Sequence, residues 1–537
     1  MPKEYPPQNI LAITFTNYAA NEMKERILNL LKELRWSEDL SDKLTVTTFH
    51  SWAYKLLKEL EGDKAPGVID EVDANVLFKE ALRLSNIDLR KGRGLFKEIS
   101  RIRQDFPVFE PRNKDLRTAY FFYKGLLSRY GVVDFDDLML RIAELFRDKD
   151  VLQQIGKRWS YILVDEFQDV NRVQFELVKA LSTNHVTIIG DPDQSIYSFR
   201  GADSGSIRRF ITEFPDAEVI TLDIAYRCHQ EILDSGSAVL GHSECKARTI
   251  RSNKGKGPKI VVKGFKNPDQ EAKWIAETVE SLTGAMSFEA INFSRSNVPN
   301  DEYRLPEIAV LLRVHSLKNP IEKAFLRKGI PFRETKGRSP MENDDVRAVS
   351  RLMRIVMDEN AQFHKSRLIM EKGLTEKDIE SCVSAWKKGD KREAIRLLGA
   401  DPENMLLKIF LKGLESNDVE EIALQFKSDV DLLGIDLECV NLMTMHSAKG
   451  LEFPVVFIPR CEEDVVPLKG GDEDEERRLF YVALTRAEKM VYITYCFENK
   501  GKSKFIKSFP KEAYLDEIVL PVRTKKKKKR PKQGSLF

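Results

Sequence analysis

The chain has 537 residues, 42% hydrophobic and 32% charged, and its formal net charge is +3. This is enough apolar surface for several domain cores, but no apolar run approaches the ~20 residues of a membrane span and no secretory signal opens the sequence. The six cysteines form no C-x-x-C pair, so we expect a cytoplasmic protein with reduced thiols, no membrane partner and no zinc or iron–sulfur site.

Short apolar runs rich in β-branched residues alternate with helical stretches along the chain, which indicates parallel α/β sheets. The predicted strands of a first sheet are residues 10–15, 44–48, 161–164, 186–189 and 219–222. Those of a second sheet are residues 259–262, 308–312, 440–445, 455–458 and 491–495. We therefore predict two α/β domains, formed by residues 1–55 with 131–215 and by residues 216–349 with 431–510.

A helical insertion is predicted in each domain, at residues 56–130 in the first and at residues 350–430 in the second, because apolar residues recur there with a helical period. The polar stretch at 283–301 is predicted to be a loop. Residues 511–537 form a basic tail.

Carboxylates follow the apolar run at 161–164 directly, as Asp165 and Glu166. A buried parallel strand that ends in this way delivers charge to the edge of its sheet. The pair suits nucleotide hydrolysis, because one carboxylate can hold Mg²⁺ while the other orients a water molecule or takes its proton. A solvated acidic pair at a strand end is the alternative. A second polar set after the run at 186–189 favours the functional interpretation.

Segments spread along the chain resemble, in the family's order, motifs Ia to VI of the UvrD/Rep family of superfamily 1 helicases. They are residues 10–23, 46–50, 162–169, 186–200, 225–228, 443–453 and 475–487. The resemblance implies an α/β protein built of two RecA-like parallel-sheet domains, each with a helical insertion. The second insertion is short for the family.

The resemblance also implies that ATP and Mg²⁺ bind in a cleft between the domains. Asp165 would bind the metal, Glu166 would activate water, and Gln194 would sense the γ-phosphate. Tyr226 would stack on the adenine base. Arg227 and Arg486 would neutralise charge on the transferring phosphoryl group. Glu452, with Gly450 nearby, would contact the ribose. Outside these motifs, Tyr226, Arg227 and Arg486 would be ordinary packing or surface residues.

Single-stranded DNA would run across the sheet ends of both domains. Aromatic residues at strand ends can stack on bases of any sequence, although ordinary core packing is the alternative for them. The resemblance implies DNA contacts from Phe15, Asn17, His50, Tyr197, Phe199, Arg200, His446 and Lys449. Phe199 stands where Trp is commoner in the family, and Tyr18 where Lys is commoner.

The sequence contains no G-x-x-x-x-G-K-[ST] phosphate-binding loop, whose backbone N–H groups and lysine hold the β- and γ-phosphates of ATP. In the family this loop precedes motif Ia, which here begins at Ile10. Three explanations stay open: an incompletely read gene, a split protein whose partner chain supplies the loop, or true degeneration.

The tail holds eight basic and no acidic residues between 521 and 537, so the rest of the chain is net negative. We therefore expect the body to contact DNA through local grooves rather than through bulk charge. The final Gln533, Leu536 and Phe537 resemble a sliding-clamp-binding peptide, while a nonspecific polycation is the alternative.

Two functions remain as hypotheses. The first is an ATP-dependent 3′-to-5′ DNA helicase or translocase that acts on single strands and duplex junctions in replication or repair. The second is a catalytically inactive helicase-like protein that binds DNA and a sliding clamp. The missing loop favours the second, whereas the retained Asp165, Glu166, Gln194, Arg227 and Arg486 favour the first.

Overall fold

A computed structural model describes the chain apart from residues 1–5, 36–42, 105–112, 183–184, 199–200, 204, 242–249, 285–301, 336–339, 360, 414–437, 499 and 520–537. Its strands, in chain order from β1 to β15, are Ile10–Thr14, Thr45–Thr48, Gly67–Val68, Val132–Val133, Tyr161–Val164, His185–Ile188, Ile224–Ala225, Arg251–Ser252, Ile260–Phe265, Ile308–Leu312, Phe332–Thr335, Val440–Thr444, Phe453–Ile458, Ala487–Cys496 and Tyr514–Ile518.

The α-helices of the described residues alternate with these strands and also form two separate groups. In chain order from α1 to α19 they are Asn17–Glu33, Phe49–Glu61, Glu71–Leu84, Gly92–Gln104, Lys114–Tyr130, Phe135–Leu145, Lys149–Arg158, Arg172–Leu181, Ser206–Glu213, Gln230–Leu240, Pro268–Leu282, Asn319–Lys328, Asp344–Met357, Gln362–Lys372, Glu376–Lys387, Lys391–Leu397, Met405–Gly413, Glu473–Leu484 and Lys504–Lys507. None of them is long and apolar enough to cross a membrane.

The chain divides into two units, Met1–Ile220 with Thr335–Asp436, and Thr221–Glu334 with Leu437–Phe537. The first contains a four-stranded parallel sheet in the order β2-β1-β5-β6. Leu11 and Ile13 on β1 are buried in one core with Ile162 and Val164 on β5, because a central parallel strand is covered on both faces. This explains the unbroken apolar runs in the sequence.

Strand β6 lies at an edge of this sheet, and no other strand pairs with its outer side in the part of the chain that the structure describes. His185 is exposed, the other three residues of β6 are only partly buried, and Ile189 just beyond the strand is 46% exposed. An edge of this kind presents unpaired backbone N–H and C=O groups.

The two helical groups pack on each other within the first unit. Arg351 on α13 donates hydrogen bonds to Asp73 on α3 and to Glu371 on α14. Phe363 on α14 packs edge-on against Tyr130 at the end of α5, with ring centroids 5.4 Å apart. The helical group at Asp344–Gly413 therefore belongs with the first unit, although it interrupts the sequence of the second.

The second unit is built on a seven-stranded sheet in the order β11-β12-β10-β13-β14-β9-β15, with every register parallel wherever it is defined. All five residues of β10 and of β12 are buried, in agreement with the predicted core strands. The sequence interpretation missed β11 and β15, which lie at the two edges and carry polar residues such as Glu334 and Asp516.

The predicted strand at 219–222 is wrong, because these residues form no strand and lie exposed. Val219, Ile220 and Leu222 have no neighbouring strand among the described residues, so their apolar character alone does not make them a strand. The predicted loop at 283–301 falls almost wholly outside the described residues.

Candidate functional site

Asp165 and Glu166 lie at the carboxyl end of β5, in the interior of the first sheet. The Asp165 N–H donates to the Ile13 carbonyl oxygen at 2.8 Å, which continues the ladder between β5 and β1. Glu166 adopts left-handed backbone geometry with φ of +52°, which is uncommon for a residue other than glycine. This turn directs the chain away from the sheet directly after the two carboxylates.

Burial, and then the adjacent Glu166, raise the pKa of Asp165. A carboxylate that is partly desolvated beside a second negative charge gains from a cation. Mg²⁺ is commonly held by one or two carboxylates together with substrate phosphates, and the donor set here fits that arrangement. The described residues contain no group of three or more His, Cys, Asp or Glu that could hold a metal ion without a substrate.

Gln168, which the sequence interpretation did not single out, organises this site. Its Nε2 donates to Glu166 Oε2 at 2.5 Å, and its Oε1 accepts from the Asp191 N–H at 3.0 Å. A Cβ on Gly190 would lie 2.7 Å from the same Oε1, so a larger residue there would displace the Gln168 amide. The buried amide therefore joins the turn after β5 to the loop after β6.

Gln194 ends a short 3-10 turn in this loop, and its Nε2 donates to Asp191 Oδ2 at 2.9 Å. Asp191 also begins the turn by accepting from the Asp193 N–H. Glu166, Gln168, Asp191 and Gln194 thus form one connected polar set at the carboxyl ends of β5 and β6. Open parallel sheets bind ligands at this end of their strands.

The predicted DNA-contact residues of the first unit lie at the same sheet end. Phe15 and Tyr197 stack on each other, with ring centroids 5.5 Å apart and an angle of 14° between the rings. Asn17 is the first residue of α1, and His50 lies in the first turn of α2, where its ring packs edge-on against Phe135. The predicted Phe199 and Arg200 lie outside the described residues.

In the second unit, Tyr226 is 69% exposed, directly after β7. Arg227 Nε donates to Glu452 Oε2 at 2.6 Å. The structure therefore brings together two residues that are 225 positions apart and that the sequence interpretation assigned to one nucleotide. The exposed Tyr226 ring and the Arg227–Glu452 pair are the predicted nucleotide contacts in this part of the second unit.

Arg486 is only 1% exposed, and its guanidinium donates to the Leu451 and Val482 carbonyl oxygens at 3.1 and 3.0 Å. These bonds fix the guanidinium close to Gly450, whose φ of +82° suits glycine. His446 and Lys449 lie in the turn after β12, where the Lys449 N–H donates to the His446 carbonyl oxygen. The predicted clamp-binding residues Gln533, Leu536 and Phe537 lie outside the described residues.

Two protein-family models and several relatives match this chain over most of its length. The model of the UvrD/REP helicase N-terminal domain matches residues 1–215, and that of the UvrD-like helicase C-terminal domain matches residues 220–386 and 406–498. The chain is 28% identical to an ATP-dependent DNA helicase PcrA of Staphylococcus epidermidis, over 99% of this chain and 84% of that protein. It is equally identical to a PcrA of Staphylococcus aureus, over 95% of this chain and 80% of that protein.

A solved C-terminal domain of a possible DNA helicase from a Lactobacillus is 13% identical to this chain. The match covers 54% of this chain and 98% of that one, with a TM-score of only 0.26. Together the two family models cover most of the chain, including the residues of the candidate site. The chain belongs to the UvrD/Rep-type superfamily 1 helicases.

Proposed function

We propose that this protein is an ATP-dependent DNA helicase that moves 3′ to 5′ along single-stranded DNA and separates duplex junctions, in replication or repair. The observation that carries the proposal is the connected set of Glu166, Gln168, Asp191 and Gln194 beside Asp165. A hydrolytic site needs such preorganised polar groups, because they are aimed before the reaction at the atoms where charge develops.

The residues of the first unit would act on the terminal phosphate of ATP. Asp165 would hold Mg²⁺, which neutralises phosphate charge when it is bound. Glu166 would orient the attacking water and accept its proton, because Gln168 fixes one of its two carboxylate oxygens. Gln194, held by Asp191, would respond to the γ-phosphate and shift the loop that carries Tyr197.

The residues of the second unit would contact the rest of the nucleotide. Tyr226 offers an exposed ring for the adenine base, and Glu452 offers a carboxylate for the ribose. Arg227 and Arg486 would neutralise charge on the transferring phosphoryl group, a role that is worth about 10³–10⁵ in rate for arginine. Arg227 would have to exchange Glu452 for phosphate when ATP binds, and the buried Arg486 would have to release the carbonyl oxygens of Leu451 and Val482.

The phosphate-binding loop is supplied, in this proposal, by sequence upstream of Met1 or by a partner chain. The exposed outer edge of β6 supports this, because it can pair with one further strand beside the carboxylates. Charge agrees as well, since Asp165, Glu166 and Asp191 cluster where the lysine of such a loop would lie. The alternative is a catalytically inactive protein that binds DNA and a sliding clamp, which would have no use for the organised set around Gln168.

The test compares residues 1–537 with the same chain joined to an upstream segment that carries a strand and a phosphate-binding loop. We expect ATP hydrolysis stimulated by oligo-dT only in the joined protein, together with unwinding of a duplex that has a 3′ tail but not of one that has a 5′ tail. Robust DNA-stimulated ATP hydrolysis by residues 1–537 alone would show that no added phosphate-binding loop is needed. DNA binding without hydrolysis by the joined protein would favour the inactive alternative.

A further inference from the structure

The segment Asp134–Asp137, at the start of α6, forms a buried ionic cluster that the functions above do not use. The guanidinium of Arg103, at the end of α4, is almost fully buried among three carboxylates. Its Nη1 donates to Asp134 at 2.8 Å and to Asp137 at 3.2 Å, and its Nη2 donates to Asp136 at 3.0 Å. The hydrogen bonds of one guanidinium to three carboxylates restrict the geometry of this group, although the Arg103 Nε has no partner among the described residues.

One side chain of this segment packs on a predicted DNA-contact residue, and another bonds the end of α4. The ring of Phe135 packs edge-on against His50, with centroids 5.6 Å apart. Asp136 Oδ1 accepts from Gln104 Nε2 at 2.9 Å, and Asp136 Oδ2 accepts from the Ser100 hydroxyl. The cluster therefore fixes Gln104, the last residue of α4, from one side.

The other side of Gln104 lies against Gly201. A Cβ at Gly201 would fall 1.8 Å from Gln104 Oε1, so the amide oxygen lies in contact with the Gly201 backbone. That oxygen is buried and has no hydrogen-bond donor among the described residues, which leaves the Gly201 Cα–H as the group that it faces. Gly201 also has a φ of +84°, a second reason for glycine at this position.

Gly201 ends the turn that carries Tyr197. The Gly201 N–H donates to the Ser198 carbonyl oxygen at 2.9 Å, and the Ala202 N–H donates to the Tyr197 carbonyl oxygen at 3.2 Å. The turn begins three residues after Gln194, so one short segment joins the predicted γ-phosphate sensor to the stacked pair of Phe15 and Tyr197.

We propose that Asp136 and Gln104 are positioning residues for the DNA-contact surface: the buried cluster holds Gln104 against Gly201 and so fixes the turn that presents Tyr197, while Phe135 supports His50. This inference rests on the proposed DNA binding of the first unit. It gives the helical insertion a role in the grip on single-stranded DNA without a direct DNA contact from the cluster.

The variants Gln104→Ala and Asp136→Asn test the proposal in the full chain. Asp136 accepts hydrogen bonds from Arg103 and Ser100 at Oδ2 and from Gln104 at Oδ1. An asparagine would keep its oxygen on the guanidinium and turn its amide N–H₂ toward Gln104 Nε2, which breaks the bond to Gln104. Asp137→Asn is the matched control, because it makes the same charge change in the same cluster, and the described contacts of Asp137 are with Arg103, Lys124 and Asp134.

The first measurement is hydrogen exchange without DNA. We expect the amides of Gly201 and Ala202 to exchange at least about fivefold faster in Gln104→Ala and Asp136→Asn than in wild type and in Asp137→Asn, at unchanged melting temperature for Gln104→Ala. The second is the affinity for fluorescein-labelled oligo-dT, which should fall about fivefold or more in the two variants, as for a weakened stacking contact.

The outcomes separate this inference from the proposed function. If wild type does not bind oligo-dT, the proposed function fails, while faster exchange in Gln104→Ala would still support the positioning contact. If wild type binds and Gln104→Ala binds equally well with unchanged exchange at Gly201, the positioning role is wrong. Equal loss of affinity in Asp137→Asn would mean that the cluster acts only through general stability.

Discussion

At the residue scale, the site depends on a glutamate in left-handed backbone geometry and on the glutamine two positions later. The turn at Glu166 costs roughly 1–2 kcal/mol for a residue with a Cβ, and the bonds of Gln168 to Glu166 and to the Asp191 N–H offset that cost. Asp165 and Glu166 were proposed from the sequence on their strand-end position. Gln168 could have been noticed from its spacing, but nothing in the sequence indicates its bond to the loop after β6.

The role proposed for Glu166 predicts a specific kinetic result. In a protein joined to the phosphate-binding loop, Glu166→Gln keeps the side-chain shape but removes the base, so kcat for ATP should fall by about 10²-fold or more. Nucleotide affinity should change by less than about twofold, because the same atoms can still contact phosphate-bound water. Steady-state hydrolysis and binding of a fluorescent nucleotide measure the two quantities.

Glu213→Gln is the matched control, since Glu213 ends α9 and forms an ion pair with Lys179 away from the site. Its kcat should equal that of wild type. A normal kcat in Glu166→Gln would remove this residue from the reaction.

Glu271 makes the stability of the second unit depend on pH. Its carboxyl group accepts hydrogen bonds from the Thr494 hydroxyl and the Arg460 N–H, and burial raises its pKa from about 4.5 to about 7. The unfolded chain therefore loses this proton at lower pH than the folded protein. The stabilisation that Glu271 gives the folded state is fully present below pH 4.5 and is lost as pH rises through 7. The free energy of unfolding falls by at most about 3 kcal/mol over this range.

We expect Glu271→Gln to remove this dependence. Chemical denaturation should show a variant that gains stability relative to wild type between about pH 5 and about pH 8. Glu277→Gln, on the same helix α11 and ion-paired with the exposed Lys273, should leave the wild-type pH profile unchanged. A constant difference between Glu271→Gln and wild type at all pH values would contradict the raised pKa.

At the element scale, the two sheets differ in how their strands are completed. β12 lies inside the sheet of the second unit, whereas β6 lies at the edge of the first sheet with partly exposed residues. Backbone groups without a ladder partner open more readily to solvent. The sequence predicted both strands, and the absence of the phosphate-binding loop from it already indicates that β6 lacks a neighbouring strand.

Hydrogen exchange on residues 1–537 should therefore show weak protection in β6 and strong protection in β5 and β12, because β5 pairs with β1 and β6 on its two sides. Adding a polypeptide that contains the missing strand and loop should slow exchange in β6 and leave β12 unchanged. A scrambled polypeptide of the same composition is the control. Strong protection of β6 without any addition would show that another segment already pairs with it.

At the scale of the whole molecule, the charge is divided between a net negative body and the basic tail at residues 521–537. This tail lies outside the described residues, so its roles stay predictions. A cationic tail can raise the affinity for DNA without sequence preference, because its contacts with phosphates release counterions.

Two changes in the tail should separate its two predicted roles. Deleting residues 533–537 should abolish binding to a sliding clamp and leave oligo-dT affinity unchanged. Replacing Lys525, Lys526, Lys527, Lys528 and Lys529 by glutamine should weaken oligo-dT binding and flatten its salt dependence by roughly 0.7 log–log units for each phosphate that the tail no longer neutralises. Clamp pull-down and salt titrations measure these effects. Equal clamp binding after the deletion would exclude the peptide.

The sequence by itself determined the local features of this protein. Unbroken apolar runs predicted β5 and β10, because a strand buried on both faces has little room for polar residues. Carboxylates directly after β5 indicated the site, and the order of the motifs indicated the family. The same reasoning missed β11 and β15 and wrongly predicted a strand at 219–222, because edge strands depend on pairing partners rather than on their own composition.

Only the tertiary structure decided which distant residues meet. Gln168 reaches the loop after β6, Gln104 closes on Gly201, Phe135 supports His50, and Arg351 joins the two helical groups through Asp73. Each contact joins segments from 23 to 278 residues apart. The hydrophobic pattern specifies which face of an element is buried, but hydrogen bonds and ion pairs between elements form only after packing has fixed their distance and direction.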